Sequence, residues 1–216
     1  MWISKYFVYF VLFSCMGWIY ESAYCTIKTG KWQNRGFLYG PLCPIYGVGA
    51  VAITFIVDQL QERDVPELLW WQIFLIAFFG SIVLEYVTSY VLEKLFHAYW
   101  WDYSDVPLNI NGRVCLLYSI FWGILGIVWI KLIYPPMAKL IEKLPINLGK
   151  VLTWAFIIFF IFDSILSASA ALRMDQRDKG AAPRNAFESY LDEHFDDARM
   201  HKIYANSVST DPQKQN

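Results

Sequence analysis

Charge is scarce in this sequence: 17% of its 216 residues are Asp, Glu, Lys or Arg, against 56% hydrophobic and 19% aromatic. A water-soluble chain of this size carries more charge and fewer aromatics, so the balance excludes a soluble globular domain. Histidine is confined to His97, His194 and His201, and cysteine to Cys15, Cys25, Cys43 and Cys115. No Cys-x-x-Cys pair and no paired histidine occurs, which argues against zinc and leaves the thiols as buried apolar groups. A Gly-x-x-x-x-Gly-Lys-Ser/Thr segment is also missing, so this chain is not an ATPase of the phosphate-loop kind. No nucleophile and base stand at a diagnostic spacing. No catalytic residue is therefore assigned, and no metal, cofactor or nucleic-acid partner is expected.

What the sequence has instead is long apolar runs, from Tyr6 to Tyr24, Ile45 to Asp58, Leu68 to Leu92, Val114 to Tyr134 and Val151 to Leu172. A helix needs about 20 such residues to cross a bilayer. The expectation is an all-α, polytopic integral membrane protein with about five transmembrane helices, near 6–24, 44–60, 68–92, 114–134 and 151–172. The second run is the shortest, and a re-entrant segment is its alternative. Lys5 precedes the first run, but Gly17 and Glu21 interrupt it and no small-x-small cleavage site follows, so it reads as an uncleaved span. Tyr24 is too bulky for the residue before a lipidated Cys25. The stretch from Pro135 to Lys150 reads as a loop.

After Arg173 the composition turns charged, which divides a transmembrane domain at 1–173 from a tail at 174–216. Phe187, Leu191 and Phe195 recur every four residues among acids, the pattern of a short amphipathic helix. Such a helix lies on the membrane, docks on a partner or packs back on its own membrane domain. Ser207 to Asn216 reads as a disordered end.

Positive charge resists translocation. Five spans put Lys5, Arg63, Lys131, Lys139, Lys143 and Lys150 on one side. Lys28, Lys31, Arg35, Lys94, Arg113, Arg173, Arg177, Lys179 and Arg184 fall near the other. The larger set places the C-terminus in the cytoplasm of a multi-pass cell-membrane protein. Trp70-Trp71 and Trp100-Trp101 fit interfacial belts at the two ends of the third span.

Three carboxylates, Glu21, Glu85 and Asp163, sit within these runs. A charge at membrane depth costs roughly 2.5 to 3.5 kcal/mol on insertion scales, so each should have a partner or a role. Two segments resemble each other: Gly17, Glu21 and Asn34-Arg35-Gly36 lead through Cys43 into span two, and Gly80, Glu85 and Asn111-Gly112-Arg113 lead through Cys115 into span four. A two-span repeat keeps topology, so both glutamates and both arginines would face one side, and repeat interfaces are common transporter sites. Arg35 and Arg113 are the expected counter-charges of Glu21 and Glu85. The second helix should start near Pro44, because proline suits a first helical turn. Its free N–H groups, the nearby glycines and Arg35 would suit an anion, as would Gly112-Arg113 ahead of the fourth helix. The competing reading is that the arginines anchor helix ends while glycine and proline shape turns. Asp163 has no evident basic partner and is followed by Ser164, Ser167 and Ser169; it reads as part of a polar cavity or as hydrogen-bonded to serines on a neighbouring helix.

Gly17-Trp18-Ile19-Tyr20-Glu21, Asn34 to Pro41, Pro44-Ile45-Tyr46-Gly47, Trp101-Asp102-Tyr103-Ser104, Gly112 to Leu116 and Trp122-Gly123 together resemble a bacterial family, the ABC-transporter type IV or CmpB-like ABC transporter permeases. The similarity runs from about Gly17 to the tail, including the Arg173 region. It implies a permease moving an unidentified solute; the residues themselves suggest Glu21, Asn34, Arg35, Glu85, Asn111, Arg113 and Asp163 as a substrate-binding or polar network. No Glu-Ala-Ala-type cytoplasmic loop is present for an ATPase to grasp. A permease of this size would need a separate ATPase subunit and a homo-oligomer or other partner to enclose a path. A membrane-embedded regulatory or structural subunit is the alternative. An enzyme or binding protein for an anionic lipid, with a carboxylate as acid or base and the arginines on phosphate, is a third.

Overall fold

The structure, a computed structural model, describes residues 2–63, 66–203 and 208–209. The chain is built of helices: α1 Trp2–Thr29, α2 Pro44–Gln61, α3 Trp70–Phe96, α4 Leu116–Val128, α5 Tyr134–Glu142, α6 Ile146–Asp178, α7 Ala186–His194 and α8 Asp197–Ile203. Among the described residues, strands are limited to two-residue ladders, Asn109–Ile110 with Val114–Cys115 and Ala98–Tyr99 with Val208–Ser209. All five expected spans fall on helices. Among the described residues, four stretches are long and apolar enough to cross a membrane: Lys5–Thr29, Trp70–Phe96, Leu116–Glu142 and Ile146–Asp178. The chain is thus a multi-pass membrane protein. Helix α2, the shortest expected span, has 18 residues, roughly 27 Å of rise. It carries Asp58 in its last turn and is not among the four.

Proline sets two of these boundaries. Pro44 opens α2, as its missing N–H allows. Pro135 and Pro136 do not make the expected loop but fill the first turn of α5. Having no N–H, they leave the carbonyls four residues back without their usual donors. The chain answers by widening into a π turn at Trp129–Ile133, where the Tyr134 N–H donates to the Trp129 carbonyl. The helical path therefore continues to Glu142, and α6 begins at Ile146 rather than Val151.

The residues group into two compact units. The first is Met1–Ser14, Pro44–Thr88 and Asp102–Phe156; the second is Cys15–Cys43, Ser89–Trp101 and Ile157–Asn216. In the first, Tyr9 and Phe13 of α1, Ile53 and Val57 of α2, Ile73 of α3 and Trp129 form the core. Trp129 is 1% exposed, and its indole N–H donates to Thr54 Oγ1 at 2.8 Å. The Thr54 hydroxyl passes the bond on to the Ala50 carbonyl at 2.7 Å, so the largest buried ring leaves no polar atom unsatisfied. Gly47 brings α2 close to α1, since a Cβ there would collide with Ser14 and the Phe10 carbonyl.

In the second unit, Leu191 of α7, Phe195 and Met200 of α8 are buried against Ala170 of α6, with Trp100 packed beside them. Of the three possibilities for the amphipathic segment, this is packing back on the chain's own membrane helix. Phe187 stays half exposed on the first turn of α7, so the expected apolar stripe is one residue shorter than its periodicity. Of the end read as disordered, Ser207 to Asn216, all but Val208 and Ser209 lies outside the described residues.

Candidate functional site around Asp163

Asp163 lies at the middle of α6 and is 4% exposed. Its two carboxylate oxygens both accept the Gly40 backbone N–H, each at 3.1 Å. One helical turn later, Ser167 donates its hydroxyl to Asp163 Oδ1 at 3.4 Å and accepts the Tyr39 N–H at 2.8 Å. Consecutive loop amides are thus aimed at one face of α6. Local sequence explains the aim: proline fixes φ at Pro41, and the Leu42 N–H closes a three-residue turn onto the Gly40 carbonyl at 2.8 Å. Only glycine fits at the contact point. A Cβ on Gly40 would lie 2.7 Å from Asp163 Oδ2 and 2.9 Å from the Phe159 ring.

The Asn34-Arg35-Gly36 segment belongs to the same unit. Arg35 pairs with Glu21 at 3.4 Å, as the sequence suggested. Asn34 accepts the Trp18 indole N–H at 2.5 Å and donates to the Tyr39 carbonyl at 3.3 Å, tying α1 to the loop that cradles Asp163. The Cys43 thiol donates to the Arg35 carbonyl at 3.4 Å, and burial pushes its pKa up to about 12. Four expected site residues, Glu21, Asn34, Arg35 and Asp163, therefore share one unit.

Glu85, Asn111 and Arg113 belong to the other unit. Glu85 is 4% exposed and accepts the Tyr103 hydroxyl at 3.4 Å. Asn111 (φ 53°) and Gly112 (φ 67°) form a tight hairpin turn in which the Arg113 N–H donates to the Ile110 carbonyl at 3.0 Å. Asn-Gly is suited to two successive positive φ angles. The Asn111 amide donates to the Tyr86 hydroxyl at 3.0 Å, and the Arg113 guanidinium lies 5.6 Å from the Tyr86 ring centre. The Asp102-Tyr103-Ser104 motif packs on this turn, with the Tyr103 N–H on the Gly112 carbonyl at 2.7 Å. The two look-alike segments end the same way, with Cys43 and Cys115 directly ahead of a helix. Between glutamate and cysteine they differ: the second contains a hairpin, the first does not.

A further polar cluster lies outside the residues that the sequence singles out. Asp58 accepts Lys5 Nζ and the Tyr6 hydroxyl on Oδ2, both at 2.8 Å, and the Tyr134 hydroxyl on Oδ1 at 2.7 Å. Its signal was present, because Lys5 and Asp58 are lone opposite charges at the ends of apolar runs. At the end of α6, Arg173 is buried and holds Asp192 through two 2.8 Å bonds. Arg177 adds 2.8 Å bonds to Asp192 and Asp197. Hydrogen bonds from Arg173 hold the Asp192 carboxyl down at about 2. Among the described residues no cluster of His, Cys, Asp or Glu is arranged to hold a metal ion.

A family model described as Putative ABC-transporter type IV matches residues 8–168, a stretch that includes all seven expected site residues. No curated protein and no solved structure matches the chain.

Proposed function

The chain belongs to the ABC-transporter type IV family, and on that premise we propose that it is the membrane permease component of an ABC-type transporter, acting in the cell membrane. The observation that carries the reading is the cradle of Asp163. A carboxylate at the middle of a span is costly, and here its partners are a loop turn and a serine rather than a fixed cation. A turn can move away as a unit, uncovering a charge within the membrane domain. An ion pair between two helices holds its charge in place. In this proposal Glu21, Asn34 and Arg35 are the further polar groups of the unit that holds Asp163, and Glu85, Asn111 and Arg113 are those of the other unit.

Energy must come from a separate ATPase subunit, since no phosphate loop is present. In this proposal the tail, 174–216, lies at the cytoplasmic face, as the distribution of Lys and Arg suggests, where such a subunit would reach it. A second copy or another membrane subunit would complete the wall of the path.

A regulatory or structural subunit is the second reading. It is favoured by the same cradle, because the Tyr39 and Gly40 amides, which would otherwise suit a solute anion, are taken by the chain's own Ser167 and Asp163. The two readings separate in liposomes that contain the protein with its copurifying ATP-hydrolysing subunit and enclose a cell extract. ATP-dependent gain or loss of a defined solute supports the permease. Retention of every solute supports the second reading.

A further inference from the structure

Arg199 of α8 reaches across 160 positions of sequence to donate to the Tyr39 hydroxyl at 2.8 Å. Its guanidinium lies 5.8 Å from the Tyr39 ring centre and 5.3 Å from that of Phe195. The Tyr39 ring meets Phe195 edge to face at 5.6 Å. Arg199 is itself held by the His194 carbonyl at 2.9 Å, and its N–H by Asp196 at 2.7 Å. The same Tyr39 donates its backbone N–H to Ser167, and its neighbour Gly40 donates to Asp163. One residue therefore touches the tail with its side chain and the Asp163 cradle with its backbone.

We infer that α7 and α8 form a latch that holds the Tyr39–Gly40 turn against Asp163, so that undocking the tail frees the Asp163 carboxylate. The anchor of the latch is the pairing of Arg173 and Arg177 with Asp192 and Asp197, backed by the apolar contacts of Leu191, Phe195 and Met200 on α6. Its tip is Arg199 on Tyr39. Its buried apolar cluster is limited to Ala170, Leu191, Phe195 and Met200, so such an element opens at lower cost than an extensive close-packed core. A partner that binds the tail would thereby reach a buried carboxylate without touching it. The inference concerns coupling within one unit and stands whether or not the chain transports.

Cys43 is a built-in reporter of the turn. It follows the turn by three residues, is 4% exposed and donates to the Arg35 carbonyl. Alkylation by N-ethylmaleimide is measured on the full chain in native membranes, with Cys15, Cys25 and Cys115 replaced by alanine. Arg199→Ala should accelerate Cys43 labelling about tenfold, the loss of one charge-assisted hydrogen bond. Tyr39→Phe should also accelerate it, and the double variant should label no faster than Arg199→Ala alone. Ser167→Ala removes the acceptor of the Tyr39 N–H and should accelerate labelling too; combined with Arg199→Ala, its effect should be less than the product of the two. Unchanged Cys43 labelling in Arg199→Ala overturns the latch, as do strictly multiplicative effects. An equal acceleration at Cys115, measured with Cys43 replaced instead, means general loosening and overturns it as well.

Discussion

Asp163 and Gly40 form a pair in which one backbone N–H is shared by both oxygens of a buried carboxylate, at 3.1 Å each. The absence of a side chain on Gly40 makes the approach possible, and the proline after it fixes the turn. Gly40→Ala would place a methyl 2.7 Å from Asp163 Oδ2 and 2.9 Å from Phe159. The Phe159 ring can rotate aside; the carboxylate, bonded to the same turn, cannot. The expected loss is about 1–3 kcal/mol of stability, read as a lower midpoint in thermal unfolding of the detergent-solubilised protein. An unchanged midpoint would mean that the turn is not held against α6.

Thr54 is the acceptor for the buried indole of Trp129. Thr54→Val keeps the shape and removes the oxygen, leaving the Trp129 N–H unsatisfied at a cost of about 1–3 kcal/mol. Thr54→Ser keeps the acceptor and should cost less. Paired unfolding curves for the two variants check this order.

Asp58 binds Lys5, Tyr6 and Tyr134 together. Asp58→Leu alone should cost about 2 kcal/mol. That is below the roughly 3–5 kcal/mol of a fully buried pair, because the Lys5 side chain is 36% exposed and water screens part of the interaction. Adding Lys5→Met should recover part of the loss, since no uncompensated charge then remains. A double variant less stable than Asp58→Leu would show that Lys5 stabilises the fold through other contacts.

The tail anchor has a defined acid limit. The folded pKa of Asp192 is lowered to about 2 from an ordinary value of 3.8. Its contribution is therefore fully present above about pH 4 and lost as pH falls through 2. Pepsin, which cuts beside Phe and Leu and works in acid, reads this out at Phe187, Leu191 and Phe195. Cleavage there should rise steeply between pH 4 and 2, and Asp192→Asn should be cut readily already at pH 4. Equal resistance of the two proteins at pH 4 would contradict the anchor.

Much of the fold could be read from the sequence because apolar length and proline position are local signals: the expected spans fall on helices and Pro44 opens α2. Pro135 and Pro136 misled because a proline pair ends a helix only when the preceding turn cannot widen, and at Trp129–Ile133 it does. At the site, the Glu21–Arg35 pair was legible as opposite charges flanking a short connection. The partner of Asp163 was not, since a backbone N–H carries no residue-type signature and lies 123 positions away in sequence. Gly40 and Pro41 were visible as turn residues, but nothing local says which helix their turn faces. Arg199 was hidden for the same reason, its contact with Tyr39 being set by how α7 and α8 fold back on α6.

The most direct test of the proposed permease is ATP-driven solute movement in liposomes carrying either the native chain or Asp163→Asn, each with the ATPase subunit that the proposal requires. Asparagine retains an oxygen for the Gly40 N–H, so the variant should fold, unfold thermally within a few degrees of the native protein and bind the same subunit. The variant should hydrolyse ATP yet move solute at least about tenfold more slowly, the loss expected when a charge that the path requires is removed. Solute movement at the native rate by a correctly folded Asp163→Asn protein would contradict the proposed permease role.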